Sequence, residues 1–172
     1  IGLMAAIDKP DAAIQAIASQ LEIFFGPGPL ILGKTVATVS DATRSAKSAL
    51  AAHSVALSVG SDSRPLAADE LLPERALAGD ALARQTLIET YYLPLAKTSP
   101  ELLGTLRAYL DCGRSLELTA KTLFVHANTV RYRLKRIYEE ISADPTDART
   151  AFVLQVALLL GAINDNEFGL KR

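Results

Sequence analysis

The sequence predicts an α+β protein that is mostly helical, with a small N-terminal α/β module at residues 1–64 and an all-helical bundle at residues 65–172. In the first part, short apolar runs such as Leu30–Leu32 alternate with amphipathic stretches, as expected of strands and helices. In the second part, apolar residues recur at helical spacing between helix start and stop signals. The 172 residues are 49% apolar and 22% charged, which is typical of a globular chain with one good core or two small domains.

The composition limits the classes of protein to be considered. Cys112 is the single cysteine, which excludes an internal disulfide and suits a reducing cytoplasm. The most apolar run, residues 151–163, is shorter than the roughly 20 residues that span a bilayer, so we expect no membrane segment. Because the chain starts at Ile1 without an initiator methionine, within a predicted strand, we expect a C-terminal fragment of a longer protein.

The N-terminal module is predicted to follow a βαβα order. A first helix opens at Pro10, a residue that suits the first helical position, and a second helix is capped by Ser40 or Asp41. His53 is interpreted as a core or boundary residue, since no second metal-type residue stands three or four positions away. The predicted strands are residues 1–7, 30–32 and 36–39, with a further candidate at 55–59. The predicted inner face of the second helix comprises Ala42, Ala46, Ala49, Leu50, His53 and Leu57.

Residues Gly28 to Thr35 formally satisfy the pattern G-x-x-x-x-G-K-[ST] of phosphate-binding loops. Such a loop exposes backbone N–H groups to phosphates and opens directly into a helix. Here the intervening residues are strand-like and include Pro29, and the residues after Thr35 do not start a helix. We therefore expect a strand and a turn at this position, and no nucleotide hydrolysis.

The helical part carries clear start and stop signals. Asp80 is predicted to cap one helix, and Pro94 is expected to kink or end it. Ser99-Pro100-Glu101 opens the next helix, which is predicted to stop at Gly113. Further helices are predicted at residues 65–72, at 73–79, and at 148–163 after a turn at 144–147.

The stretch from Ser115 to Ile137 divides into two short amphipathic helices with a four-residue joint, in which Val125 is predicted to point inward. Ser115 is a suitable N-cap for the first helix, and the small Ala120 permits a close crossing of the two helices. This is the layout of a helix-turn-helix at residues 115–138, with a recognition helix at about 127–141 that enters the DNA major groove. The apolar faces of the two helices comprise Leu116, Ala120 and Leu123, and then Val130, Leu134 and Ile137.

Positive charge is concentrated in the same stretch. Between Arg114 and Tyr138 six basic residues accompany a single acid, Glu117, although the whole chain carries 18 basic and 19 acidic residues. Such a cluster on a near-neutral protein is the electrostatic footprint of phosphate binding. The alternative is a protein-interaction or dimerisation module without DNA binding, in which the basic face is merely solvated.

Three segments resemble the C-terminal helix-turn-helix of the PucR/CdaR family, bacterial regulators of purine catabolism and sugar-diacid use. They read TLRAYLD at 105–111, TAKTLFVHANTVRYRL at 119–134 and DPTDARTAF at 144–152. The central unit is also similar to the Fis-type helix-turn-helix. The N-terminal module, through LILGK and ATRSAKSALAAH, resembles the degenerate GGDEF-like module that precedes the helix-turn-helix in many family members. The family usually has a basic residue where this chain has Ala127, so one phosphate or base contact is expected to be missing.

The resemblance implies a sequence-specific DNA-binding transcriptional regulator. We expect no catalysis, no metal and no cofactor in this chain, and a cytoplasmic protein that acts on double-stranded DNA as a homodimer. A small-molecule effector is expected to bind upstream of Ile1. The apolar run at 151–163 is expected to be a helix buried mostly within the domain, and it is also a candidate dimer surface.

The face of the second helix assigns individual roles to its residues, because the start of a recognition helix meets base edges and its flanking cations hold phosphates. Arg131 is placed between these two roles, because it can contact either a base or a phosphate. Arg133 lies nearest the buried face. The predicted groove residues are His126, Asn128, Thr129 and Tyr132, and the predicted phosphate contacts are Lys121, Arg133, Lys135 and Arg136. By the Fis-type similarity, Asn128 is alternatively a cap of the helix.

Overall fold

The structure, a computed structural model, describes residues 10–60 and 64–167. The chain divides into two compact units between Leu82 and Ala83. This division lies after the boundary at residue 64 that the sequence suggests. The reason is that the segment after residue 65 packs on the long helix of the first unit. The strand predicted at residues 1–7 lies outside the described residues.

The first unit combines helices with a two-stranded parallel sheet, as the sequence predicts for the N-terminal module. Strand β1 (Ile31–Leu32) pairs with β2 (Leu66–Ala67), with Ile31 opposite Leu66 and Leu32 opposite Ala67. Its helices are α1 (Pro10–Leu21), α2 (Ala42–Val59) and α3 (Leu72–Leu77), with 3-10 turns at Glu22–Phe24, Val39–Asp41 and Ala68–Leu71. The overall class, mostly helical with a small α/β part, is confirmed.

Helix α2 packs on this sheet through small residues. Ser48 is 2% exposed; its hydroxyl accepts the Lys34 N–H at 2.9 Å and donates to the Ser45 carbonyl at 2.8 Å. A Cβ atom added to Gly33 would lie 2.4 Å from the Ser45 carbonyl oxygen. The backbone after β1 therefore runs directly against α2, where larger side chains would not fit. Ala52 and Ala56 are buried farther along the same face.

This close approach overturns the predicted inner face of α2. Leu50 is 58% exposed and Leu57 is 68% exposed, and His53 is exposed as well. The prediction placed large apolar residues on the inner face, whereas small residues of α2 are the ones that face the sheet. His53 therefore lies at the surface and not in the core or at its boundary.

Three further element predictions in this unit are wrong. Residues 36–38 form no strand, and Val39 instead begins a 3-10 turn that leads into α2. The candidate strand at 55–59 is the last part of α2, which continues to Gly60 in a left-handed conformation. The predicted helix at 65–72 is β2 followed by a 3-10 turn, because Leu66 pairs with β1.

The lookalike of a phosphate-binding loop is a strand and an irregular segment. Its centre is β1, and the residues that follow Thr35 lead to the 3-10 turn at Val39 rather than into an α-helix. The Lys34 ammonium lies 4.0 Å from the Asp69 carboxylate. The strand predicted within this motif is confirmed, and an irregular segment follows it where a turn was predicted.

The second unit is helical. It contains a π-helical turn (Ile88–Tyr92) that lies directly before the helix with Pro94 in its first turn, so the proline interrupts the α-helical pattern as predicted. Pro100 begins a helix and Gly113 ends it, also as predicted. The α-helices are α4 (Ala81–Leu87), which begins at the end of the first unit, α5 (Leu93–Thr98), α6 (Pro100–Asp111), α7 (Leu116–Thr122), α8 (Ala127–Ile141) and α9 (Ala148–Glu167).

The core of the second unit lies between α6, α8 and α9, where Leu106, Val130, Ile137 and Leu154 are fully buried. Among the described residues, α9 is long and apolar enough to cross a membrane by length and composition alone, a property that core helices of soluble proteins share. Its residues Leu154 and Ala157 are buried within the unit, and core packing accounts for their apolar character.

Candidate nucleic-acid interface

Helix α7 begins where the sequence places its cap. The Ser115 hydroxyl accepts the Leu118 N–H at 3.3 Å, and the Thr119 hydroxyl donates to the Ser115 carbonyl at 2.7 Å. Thr119 and Ala120 are buried. Ala120 belongs to the same core cluster as Val130 of α8, so a small side chain lies at the contact between the two helices.

The joint between α7 and α8 is a tight turn. The Val125 N–H donates to the Ala120 carbonyl at 3.0 Å, and the Phe124 N–H donates to the Lys121 carbonyl at 3.2 Å. These two bonds form a Schellman motif, which satisfies the last carbonyls of α7. Val125 packs against the core, as predicted. Phe124, which sequence reasoning did not single out, adopts a left-handed conformation with φ of 54° and is 95% exposed.

Helix α8 begins at a histidine cap. His126 has an extended backbone, and its Nδ1 atom accepts the Asn128 N–H at 3.1 Å. In a neutral imidazole, this bond leaves the proton on Nε2, which is a donor directed away from the cap. The capping role that the Fis-type similarity offered for Asn128 is therefore taken by His126. The buried face of α8 comprises Val130, Leu134, Ile137 and Ile141.

The opposite face of α8 brings most of the predicted site residues together at the surface. The Arg131 guanidinium donates to the Asn128 side-chain oxygen, and Arg136 donates to the Tyr132 hydroxyl at 3.3 Å. The hydrogen bond that Arg136 donates to Tyr132 raises the pKa of Arg136 above its usual value. The exposed site residues are Lys121, His126, Asn128, Arg131, Tyr132, Lys135 and Arg136, and Thr129 is half-buried.

Arg133 is separated from this set. Its side chain is 17% exposed, and its guanidinium pairs with Glu101 and donates to the Thr105 hydroxyl at 3.2 Å, both on α6. Thr105 is itself buried. These contacts tie α8 to α6, so the Arg133 charge is engaged within the domain. The partners lie 28 and 32 positions earlier in the chain, beyond the reach of a helical pattern.

The charges of α8 are divided along its length. The acids Glu139 and Glu140 lie in its C-terminal half, and Lys135 lies 3.9 Å from Glu139. The N-terminal half carries Arg131 and Arg133 without an acid, together with the positive end of the helix dipole. An anionic partner is therefore attracted most strongly to the first turns of α8 and the adjacent turn from α7.

Comparison with known proteins shows what this region is similar to. Residues 102–160 match the model described as the PucR C-terminal helix-turn-helix domain, which confirms the resemblance seen in the sequence. A solved structure, a regulator of polyketide synthase expression from Bifidobacterium adolescentis, matches with a TM-score of 0.78 and 40% identity. The match covers 88% of this chain and 60% of that one.

Three curated proteins are similar to parts of this chain. A protein of Mycobacterium tuberculosis without an assigned function is 46% identical over 140 residues, which are 81% of this chain and 34% of the relative. The chain thus spans about a third of that relative's length. From Bacillus subtilis, a proline-responsive transcriptional activator is 42% identical over 64 residues, 37% of this chain and 16% of its own length. The purine catabolism regulatory protein of the same organism is 42% identical over 57 residues, 33% of this chain and 11% of its own.

Proposed function

We propose that this chain, which carries a PucR C-terminal helix-turn-helix domain, binds double-stranded DNA as part of a transcriptional regulator, with α8 in the major groove. The observation that carries the proposal is the face of α8 opposite its buried residues. There a neutral hydrogen-bonding start, Asn128 and Thr129, is combined with the cations Arg131, Lys135 and Arg136 at the surface. In a helix-turn-helix, this face meets the DNA.

Base edges are read by the first two turns of α8. Asn128 has an amide that can pair with adenine, and Arg131 has a fork that can contact guanine. In the free protein these two side chains bond to each other, so both already project from the same side of the helix. His126 offers Nε2–H, Thr129 offers a hydroxyl and a methyl group, and Tyr132, which is 59% exposed, offers its ring.

Phosphates are held by the flanking cations. Lys121 on α7, and Lys135 and Arg136 on α8, are exposed and lie beside the groove-reading positions. Arg133 is left out of this set, because its contacts with Glu101 and Thr105 already use its guanidinium. Its role in the proposal is to hold α8 against α6.

The rest of the proposal concerns the whole regulator, because the part of this chain that matches the Mycobacterium tuberculosis relative is only 34% of that relative's length. We expect a homodimer, because two recognition helices about 34 Å apart read two half-sites. The exposed Leu159 of α9 is a candidate contact within this chain. Effector binding, cytoplasmic location and lack of catalysis are expected of the complete regulator.

The proposal is tested by removing one phosphate contact. Lys135→Ala should weaken binding to all duplex sequences about equally and reduce the slope of log K against log salt by about one, since one counterion fewer is released. The matched control is Lys97→Ala, another exposed lysine of the second unit. It lies beside Thr98, whose hydroxyl donates to Glu140 at the acidic end of α8.

The measurement is the affinity of wild type and both variants for a duplex across a salt series. Lys97→Ala should retain the wild-type slope. If the wild type shows no salt-dependent affinity for duplex DNA, the alternative of a protein-interaction or dimerisation module is favoured instead.

A further inference from the structure

Three of the described helices end on the same hydrogen-bonded motif, and one of them has an unusual residue in it. Helices α3, α6 and α7 all end on Schellman motifs, in which the residue after the C-cap is left-handed. That residue is Gly79 after α3 and Gly113 after α6, but it is Phe124 after α7. After α6 the next residue, Arg114, also has a positive φ, of 66°. The two glycines adopt this conformation without steric cost, whereas a bulky L-residue is strained in it.

The ring of Phe124 is 95% exposed, so packing against the other described residues offsets little of this strain. A phenylalanine in this state combines an unfavourable backbone conformation with an apolar surface left in water. Strained residues and exposed apolar groups are concentrated at functional sites, where the side chain contacts a bound partner. The combination points to a contact that forms only when a partner is bound.

The surroundings of Phe124 indicate the chemistry of that partner. Its N–H bonds to the carbonyl of Lys121, whose ammonium is exposed, and it lies two residues before the cap of α8, His126. The Phe124 ring thus lies between a cation and the positive end of α8. Such an arrangement complements a partner that carries negative charges at intervals, with apolar groups between them. The sugar–phosphate backbone of duplex DNA, with its deoxyribose rings between phosphates, has this character.

We propose that the Phe124 ring packs against the deoxyribose backbone of DNA at the edge of the groove that α8 enters. This contact rests on the proposed DNA binding and adds to it a part that carries no charge. It positions α8 on the duplex without reading bases, in the way that other backbone contacts do. The apolar area it buries contributes to affinity independently of salt.

The experiment uses Phe124→Gly in the full 172-residue chain. Glycine relieves the left-handed strain, so the variant should melt at or above the temperature of the wild type, while the ring is lost. Affinity for duplex DNA should fall about five- to tenfold, with the slope of log K against log salt unchanged, because no counterion contact is removed. Phe124→Tyr, which keeps the ring, should bind as the wild type does.

The matched control is Ser142→Gly. Ser142 is also an exposed non-glycine residue with a positive φ, of 51°, but it lies at the far end of α8. This variant should gain stability in the same way and bind DNA with the wild-type affinity. A purely structural role for the Phe124 ring predicts a lower melting temperature in Phe124→Gly, and that result would overturn the inference.

The inference also fails if Phe124→Gly binds DNA as tightly as the wild type, a result that leaves the proposed DNA binding intact and points to a protein as the partner of the ring. If the wild type does not bind duplex DNA at all, both the proposed function and this contact are wrong. The two failures are thus distinguished by the wild-type measurement.

Discussion

Helices α2 and α8 are both amphipathic, yet they bury opposite kinds of residue. Helix α8 buries branched aliphatic side chains, such as Leu134 and Ile137, and exposes charged ones. Helix α2 buries Ser48, Ala52 and Ala56 and leaves Leu50 and Leu57 in solvent. Apolar spacing therefore identifies the inner face of α8 correctly and that of α2 incorrectly.

The difference arises from how closely the neighbouring backbone approaches. Large side chains of α8 fill the space between helices, where interaxial distances are about 8–10 Å. Against α2, the backbone at Gly33 leaves no room for a Cβ atom. Where two backbones meet this closely, only small residues fit into the contact.

The largest expected effect on stability comes from replacing a leucine with alanine on each of the two helices. Leu134→Ala, at a position 5% exposed, should lower the free energy of unfolding of the second unit by about 2–5 kcal/mol. Leu57→Ala, at a position 68% exposed, should change that of the first unit by about 0.5 kcal/mol or less. Amide hydrogen exchange of each unit's own helices measures the two separately. A loss of several kcal/mol in Leu57→Ala would show that the face predicted from the sequence is the buried one.

A smaller effect tests the close approach itself. Gly33→Ala places a methyl group 2.4 Å from the Ser45 backbone oxygen, so α2 must shift, at an expected cost of about 1–3 kcal/mol. Gly26→Ala is the matched control, because an added Cβ there meets nothing within 4 Å. It should be neutral or stabilise the unit slightly. Equal stability of the two variants in denaturant titrations would show that the backbone at Gly33 does not approach α2 this closely.

The sequence predicts the second unit well because its signals are local. Ser115, Pro100 and Gly113 act on the turn in which they stand, and α8 has a strong period of buried residues. The N-terminal module was less predictable, since β1 and β2 each have two residues and are paired across more than 30 positions. Residues 55–59 include two valines, which favour strands, but they form the end of α2. The buried residues of that helix begin earlier, at Ser48.

Some residues of the candidate site were predictable from the sequence, and others were not. Helical periodicity places Asn128, Arg131 and Lys135 on one exposed face, and the structure agrees. It cannot reveal that Arg133 is engaged by Glu101, because that contact depends on how α6 packs against α8. The strain at Phe124 was also missed, although a signal existed: a turn position that usually requires glycine is occupied by an aromatic residue.

Selection of bound duplexes from a random pool tests most directly whether the exposed face of α8 reads DNA sequence. The wild type should enrich one short site. Arg131→Ala should lose preference at one position of that site, with a loss of about 1–3 kcal/mol in binding. Arg136→Ala, which removes a proposed phosphate contact on the same helix, should bind more weakly but enrich the same sequence. No enrichment by the wild type, or an identical preference in Arg131→Ala, would contradict the claim.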